Sequence, residues 1–202
     1  MEDVRSNDTK KILMEVSLEL FREKDFEDVT INEICRRAGV TKGSFYHHFD
    51  SKYDIPIQQF REIQKSFYED YSRLGDESSI EKLEMAIMWY ANYCNDDNRH
   101  VFKNYFHAML ATDKSRLMRK IQMEDRVFKE ILKQGVADGT FKRNLNIDFI
   151  TQEISRFIFS LLIDWTILGN GVDLLKECAY LYSNILRSIL KGKRIDHSRD
   201  GN

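Results

Sequence analysis

TINEICRRAGVTKGSFYHHFDSK, residues 30–52, contains two short helical patterns separated by a tight turn. Thr30 stands three residues ahead of Glu33, the spacing of a capping box in which hydroxyl and carboxylate satisfy two orphan backbone N–H groups. Ile31, Ile34 and Cys35 then form one apolar stripe at helical period, and Arg36 and Arg37 fall at the negative end of the helix dipole. Gly39 suits the left-handed turn that must come next. Thr41 caps a second pattern, residues 42–49, halted at Asp50-Ser51. Two helices across a short turn containing Gly form a helix-turn-helix. Such a unit places its second helix in the DNA major groove.

Charge agrees locally. The chain carries −2 overall with a pI near 6.2, which argues against coating nucleic acid non-specifically. From Ile34 to Lys52, however, Arg36, Arg37, Lys42 and Lys52 face Asp50 alone, a net +3. A small positive tip on an acidic body suits a protein that docks one patch on phosphate.

A longer string extends the motif in both directions. Ile12-Leu13, Leu20-Phe21, Phe26, Val29-Thr30, Ile34, Ala38-Gly39-Val40-Thr41, Gly43, Phe45-Tyr46, His48-Phe49 and Ser51-Lys52 resemble the signature of the tetracycline-repressor (TetR) family. The resemblance covers roughly residues 7–55, about a quarter of the chain, in order and without a gap. It implies a sequence-specific DNA-binding transcriptional regulator, by default a dimeric repressor released from a palindromic operator by a small effector. A ligand-dependent activator on the same fold is the alternative within the family. Two positions depart from the family pattern. Asp25 stands where Gly is frequent, and Asp tolerates the left-handed backbone expected there. Cys35 stands where Ala is common and is read as a small hydrophobe rather than a redox switch.

The whole chain, 202 residues with 42% hydrophobic and 12% aromatic content, has ample material for a core. One proline and nine glycines leave little punctuation for an all-β protein. The expected fold is all-α: a helix-turn-helix head, residues 1–52, on a helical effector-binding and dimerisation body, residues 53–202, with about nine helices. Caps and breakers place the helices outside the motif at about 8–24, 51–72, 78–94, 99–110, 113–137, 147–168 and 172–190, the one at 51–72 opened by Ser51. The N-terminus lacks an apolar signal region and no apolar run is long enough for a bilayer, so a cytoplasmic protein without membrane contact is expected. Cys35, Cys94 and Cys178 form no disulfide framework or metal-ligand cluster, and neither cofactor nor metal is expected.

Individual roles follow from position. Thr41, Lys42, Gly43, Ser44, Tyr46 and His47 surround the recognition helix. Its positive N-terminus favours acceptors on the duplex, Gly43 allows close backbone approach, and the polar tips reach bases or phosphates. Phe45 and Phe49 are assigned to the buried face, and His48 is left between core and contact. Arg36 adds to the tip, and Thr30 and Lys52 are expected to clamp phosphates; for Lys52 the family pattern favours that role.

Residues 157–168 are apolar on nearly every side, which requires burial on two faces. A twofold four-helix interface with a second copy accounts for this, and the family uses its last two helices that way. The expected interface residues are Phe157, Leu161, Trp165, Leu181, Ile185 and Ile189; a fully internal helix is the competing account. Two heads related by a twofold axis read two half-sites about one helical turn, or a multiple, apart, hence a pseudo-palindromic double-stranded target. Met85, Met88, Trp89 and Tyr93, with Phe102, Tyr105, Phe106, His107 and Met109, form a segment equally suited to a helical core or an apolar pocket. The family resemblance implies the pocket, with an apolar or aromatic occupant.

Two other classes compete. A helical-bundle enzyme needs facing carboxylates or Glu-x-x-His repeats, and neither these nor a phosphate loop or nucleophile motif occurs. A partner-binding or structural helical protein has no need of the tip at residues 30–52.

Overall fold

A computed structural model describes residues 2–112 and 123–190, with side chains from residues 8–112 and 125–190. Among the described residues there are nine α-helices: α1 (Glu2–Glu23), α2 (Ile31–Ala38), α3 (Lys42–His48), α4 (Asp54–Ser72), α5 (Ser79–Tyr93), α6 (Arg99–Ala111), α7 (Met123–Ala137), α8 (Ile147–Leu168) and α9 (Leu174–Ile189). Phe26–Asp28 and Gly169–Gly171 are single 3-10 turns. The all-α expectation holds. The expected start of a helix near residue 113 lies outside the described residues. No helix among the described residues is long and apolar enough to cross a membrane.

Local chemistry sets most boundaries. Ser78 and Glu81 close a reciprocal capping box at the start of α5: the Ser78 N–H donates to Glu81 Oε2 (2.9 Å), and the Glu81 N–H donates to Ser78 Oγ (3.3 Å). Asp173 caps α9 by accepting from the Lys176 N–H at 3.1 Å. Pro56 lies in the first turn of α4, where its missing N–H removes no helical bond. Gly139, at φ 81°, ends the α7 corner in a conformation that L side chains avoid.

The chain divides into two compact units. The first gathers residues 2–66, 94–112 and 162–172. Its core joins Leu13, Leu20 and Phe21 of α1 to Phe26, Ile34, Phe45, Phe49 and Ile55. α1 packs on α2, α3 and α6, and Phe60 of α4 stacks on Tyr105 of α6 with centroids 3.8 Å apart. Trp165 is buried here, its ring edge-on to Phe102 and faced by the Arg99 guanidinium at 5.3 Å.

The second unit gathers residues 67–93, 123–161 and 173–190. α5 packs on both α7 and α9, burying Leu83, Ile87, Tyr90, Val127, Phe128 and Ile131. Phe141 is fully buried over Gly135, where an added Cβ would lie 2.1 Å from the ring. The Phe141 N–H donates to the Gly135 carbonyl at 2.7 Å, and the Lys142 N–H to the Ile189 carbonyl at 2.9 Å, tying the α7–α8 connection to the end of α9.

Candidate nucleic-acid interface

α2, the turn and α3 form as the capping pattern requires. Thr30 Oγ1 accepts from the Glu33 N–H at 3.2 Å and Thr41 Oγ1 from the Ser44 N–H at 3.2 Å. Gly39 adopts φ 67°, and the Gly39 and Val40 N–H groups return to the Arg36 and Cys35 carbonyls, which satisfies the end of α2. Lys24 donates to Glu33 at 2.5 Å. That ammonium, with the Thr30 N–H, holds the Glu33 carboxyl below its ordinary value.

α3 is sharply divided between two faces. Phe45 and Phe49 are fully buried, with their rings 5.5 Å apart. Thr41, Lys42, Gly43, Tyr46 and His47 are exposed, Tyr46 at 53%, and Ser44 is half-buried. The packing of two phenylalanines thus leaves a row of cationic, hydroxyl and aromatic-polar tips in water on a helix seven residues long. Arg36 is exposed beside it. His48 is half-buried; burial lowers its imidazole pKa, with His47 and Lys10 adding to the effect. Thr30 is exposed, but its hydroxyl oxygen is occupied by the helix cap.

Lys52 departs from expectation. Its side chain is 14% exposed, and its ammonium donates to the carbonyls of Phe26 (2.9 Å), Glu27 (2.9 Å) and Val29 (3.1 Å) and pairs with Glu27 at 3.2 Å. It also lies 4.9 Å from the Phe26 ring centroid. An ammonium surrounded in this way caps the 26–29 turn from within and is not a free phosphate clamp. The left-handed Asp25 is corrected too: its φ is −59° and ψ 140°, because the chain passes from α1 into α2 through a 3-10 turn, with Asp28 N–H donating to its carbonyl at 3.0 Å. Cys35 is buried, and burial raises its thiol pKa, in keeping with a small hydrophobe.

Several positioning residues have no local sequence signal. The Asp54 carboxylate, 8% exposed, accepts from the N–H groups of Asp50 (2.8 Å) and Ser51 (3.2 Å), fixing the exit from α3 to the start of α4. Arg37 grips Glu23 of α1 with two nitrogens at 2.6 and 2.7 Å, holding α2 on α1. Glu27 is shared by Lys52, Tyr53 and His107 of α6, the last at 2.8 Å; Lys52 above all holds its carboxyl below the ordinary value. Two turns earlier on α6, His100 accepts at Nε2 from Arg22 Nε at 3.0 Å. Burial first, and Arg22 second, lower its imidazole pKa.

The aromatic segment separates between the units. In the second unit Met85, Met88, Trp89 and Tyr93 line a groove of about 600 Å3 with Asp70 and Glu84, Trp89 stacking on Tyr93 at 4.8 Å. Phe102, Tyr105 and Phe106 are instead buried in the core of the first unit, Met109 is half-buried there, and His107 meets Glu27. Of the expected interface residues, Leu161, Trp165, Leu181 and Ile189 are buried within the chain itself, while Phe157 and Ile185 are half-buried. The large apolar side chains left in water on α8 and α9 are different ones: Phe149, Ile167, Leu168, Leu175 and Tyr180.

Residues 13–56 match the family described as "Bacterial regulatory proteins, tetR family". The chain is 22% identical over 148 residues to the HTH-type transcriptional repressor KstR2 of Mycolicibacterium smegmatis, covering 68% of this chain and 70% of that one. It is 23% identical over 198 residues to the probable acrEF/envCD operon repressor of Escherichia coli K12, covering 93% and 89%. Its fold is shared with Thermus thermophilus FadR, a TetR-family repressor solved with lauroyl-CoA, at a TM-score of 0.77 and 19% identity over 91% of this chain and 96% of that one. The matched residues span the whole helix-turn-helix and its exposed α3 face, and this head is that of a TetR-family DNA-binding transcriptional regulator.

Proposed function

We propose that the protein is a dimeric repressor that reads a pseudo-palindromic operator through α3 and leaves it when a small apolar or aromatic effector binds the body. The observation that carries this reading is the split of α3, with Phe45 and Phe49 anchored inside and Lys42, Tyr46 and His47 presented outside. Thr41, Gly43 and Ser44 supply the helix N-terminus and a close backbone approach, and Arg36 adds a phosphate contact. Lys52 acts indirectly, by holding the turn that supports α2. Function divides at residues 52 and 53: the head binds DNA, and the body senses and dimerises. A protein that binds an operator acts where the genome is, in the cytoplasm.

A single recognition helix touches too few base pairs to specify a genomic site, which favours a dimer. The apolar side chains exposed on α9, Leu175 and Tyr180, and on α8, Ile167 and Leu168, are the surfaces a second copy would cover. The effector seat is the groove lined by Met85, Met88, Trp89 and Tyr93, where flexible thioethers and a stacked aromatic pair suit an apolar guest. The acyl chain in the T. thermophilus complex is of that chemical kind. An effector shifts the equilibrium only by its difference in affinity for the DNA-bound and free conformations.

Selection of duplexes from a random pool by the purified protein, followed by a salt series, tests the reading. A palindrome bound by a dimer is expected, with log K falling against log salt by about 0.9 per neutralised phosphate. A folded protein that enriches no sequence, with and without candidate effectors, would overturn it in favour of a partner-binding helical protein.

A further inference from the structure

The first unit contains a cleft of about 880 Å3 formed by the end of α1, the turn at residues 25–28 and α6. None of its lining belongs to the DNA-reading face of α3. Phe21 and Phe26, both 5% exposed, provide an apolar wall. Asn104 also lines it, and that side chain is anomalous. The residue is 5% exposed, and its amide Nδ2 is buried with no hydrogen-bond partner among the described residues. A buried amide donor left unpaired costs about 1–3 kcal/mol, so such a group normally has an acceptor.

The charges of the cleft are also only partly matched. Lys24 is paired with Glu33, and Glu27 is shared by Lys52 and His107. Arg22 gives its Nε to the imidazole of His100, a neutral acceptor, and has no carboxylate partner among the described residues. Lys103 on α6, and Asp25 and Asp28 on the turn, likewise have no ion pair among the described residues. Two unmatched cations on helices and two unmatched carboxylates on the turn therefore line one cavity with an orphaned amide donor. A ligand of one charge alone would leave the pair of like sign facing it.

We propose that this cleft binds a free amino acid with an apolar side chain, its carboxylate received by the Asn104 amide, Lys103 and Arg22, its ammonium by Asp25 and Asp28. The side chain lies against Phe21 and Phe26. The site is distinct from the groove assigned to the effector and does not depend on it.

Histidine imidazole NMR on the full chain tests the proposal, because His100 and His107 line the cleft while His47 stands on α3. L-leucine, L-methionine and L-phenylalanine are the probes at millimolar concentration. 4-Methylpentanoate and isoamylamine are the one-charge counterparts of leucine. At least one amino acid is expected to shift the His100 and His107 signals and leave His47 in place, with the one-charge compounds weaker by about tenfold or more, which is 1.4 kcal/mol. Asn104→Leu keeps the volume, removes the donor and is expected to weaken binding by a similar factor. Should that variant fail to fold, Lys103→Ala, on an exposed side chain, takes its place with the same expectation. Unmoved His100 and His107 signals with every amino acid, equal binding of the one-charge compounds, or unchanged affinity in the folded variant would each overturn the proposal.

Discussion

Replacing Tyr46 with Ala removes an exposed aromatic tip from α3 and its edge contact with the Phe45 ring at 5.5 Å, while the buried Phe45–Phe49 pair keeps its own packing. The expected outcome is a loss of operator affinity of about 1–3 kcal/mol with the protein still folded and its thermal midpoint little changed. A variant that unfolds would instead make Tyr46 a packing residue. Lys52→Ala should behave in the opposite way. Removing the ammonium leaves three carbonyls of the 26–29 turn without their donor. A stability loss of about 2 kcal/mol is expected, while the salt slope of DNA binding by the folded fraction stays the same. A slope lower by about one unit per subunit would restore the phosphate-clamp role. His100 makes a pH prediction. Its pKa is lowered in the fold, so the unfolded chain binds the proton more readily, and the stabilisation from the neutral imidazole is present above the ordinary histidine value. That stabilisation is lost as pH falls through the ordinary value toward the lowered one. Thermal midpoints between about pH 8 and pH 5 should therefore decline more steeply for the wild type than for His100→Asn.

At the scale of elements, the head is locally determined and the body corners are not. Thr30, Gly39 and Thr41 act through bonds to residues three or four positions away, so α2 and α3 were legible from spacing. The split of α3 was legible too, since Phe45 and Phe49 lie four apart on one face. By contrast, Gly135 is an ordinary glycine inside a helix pattern until Phe141 folds back onto it. Gly135→Ala would drive a Cβ into that ring and should destabilise the protein by about 1–3 kcal/mol. Gly139→Ala, at φ 81°, meets no neighbouring atom, and should cost about 1–2 kcal/mol from backbone strain alone. Chemical denaturation of the two variants separates an overpacked contact from a strained turn.

For the whole molecule, the exposed and buried faces of α9 make separable predictions. Tyr180→Glu places a charge on a side chain that is 65% exposed, and Leu181→Glu places one on a neighbour 7% exposed. Tyr180→Glu should leave the monomer folded and raise the dimer dissociation constant by on the order of a hundredfold in sedimentation equilibrium. Leu181→Glu should unfold the second unit. An unaffected dimer in Tyr180→Glu would move the interface off α9. Leu161, Trp165, Leu181 and Ile189 enter the expected interface because an all-round apolar pattern signals burial without saying by what. In the structure the chain's own helices cover these four, and Phe149, Ile167, Leu168, Leu175 and Tyr180 are the large apolar side chains of α8 and α9 that stay exposed.

The sequence alone determined that the protein is helical, where most helices start and stop, and that residues 30–52 form a DNA-reading head, because caps, turns and helical stripes are interactions within a few residues. Only the tertiary structure decided that Lys52 is a turn cap, that Met85, Met88, Trp89 and Tyr93 part from Phe102, Tyr105 and Phe106, and that His107 meets Glu27. Each of these depends on residues distant in the chain. Which of two apolar faces turns inward, and which carboxylate an ammonium reaches, is settled by packing rather than by sequence spacing.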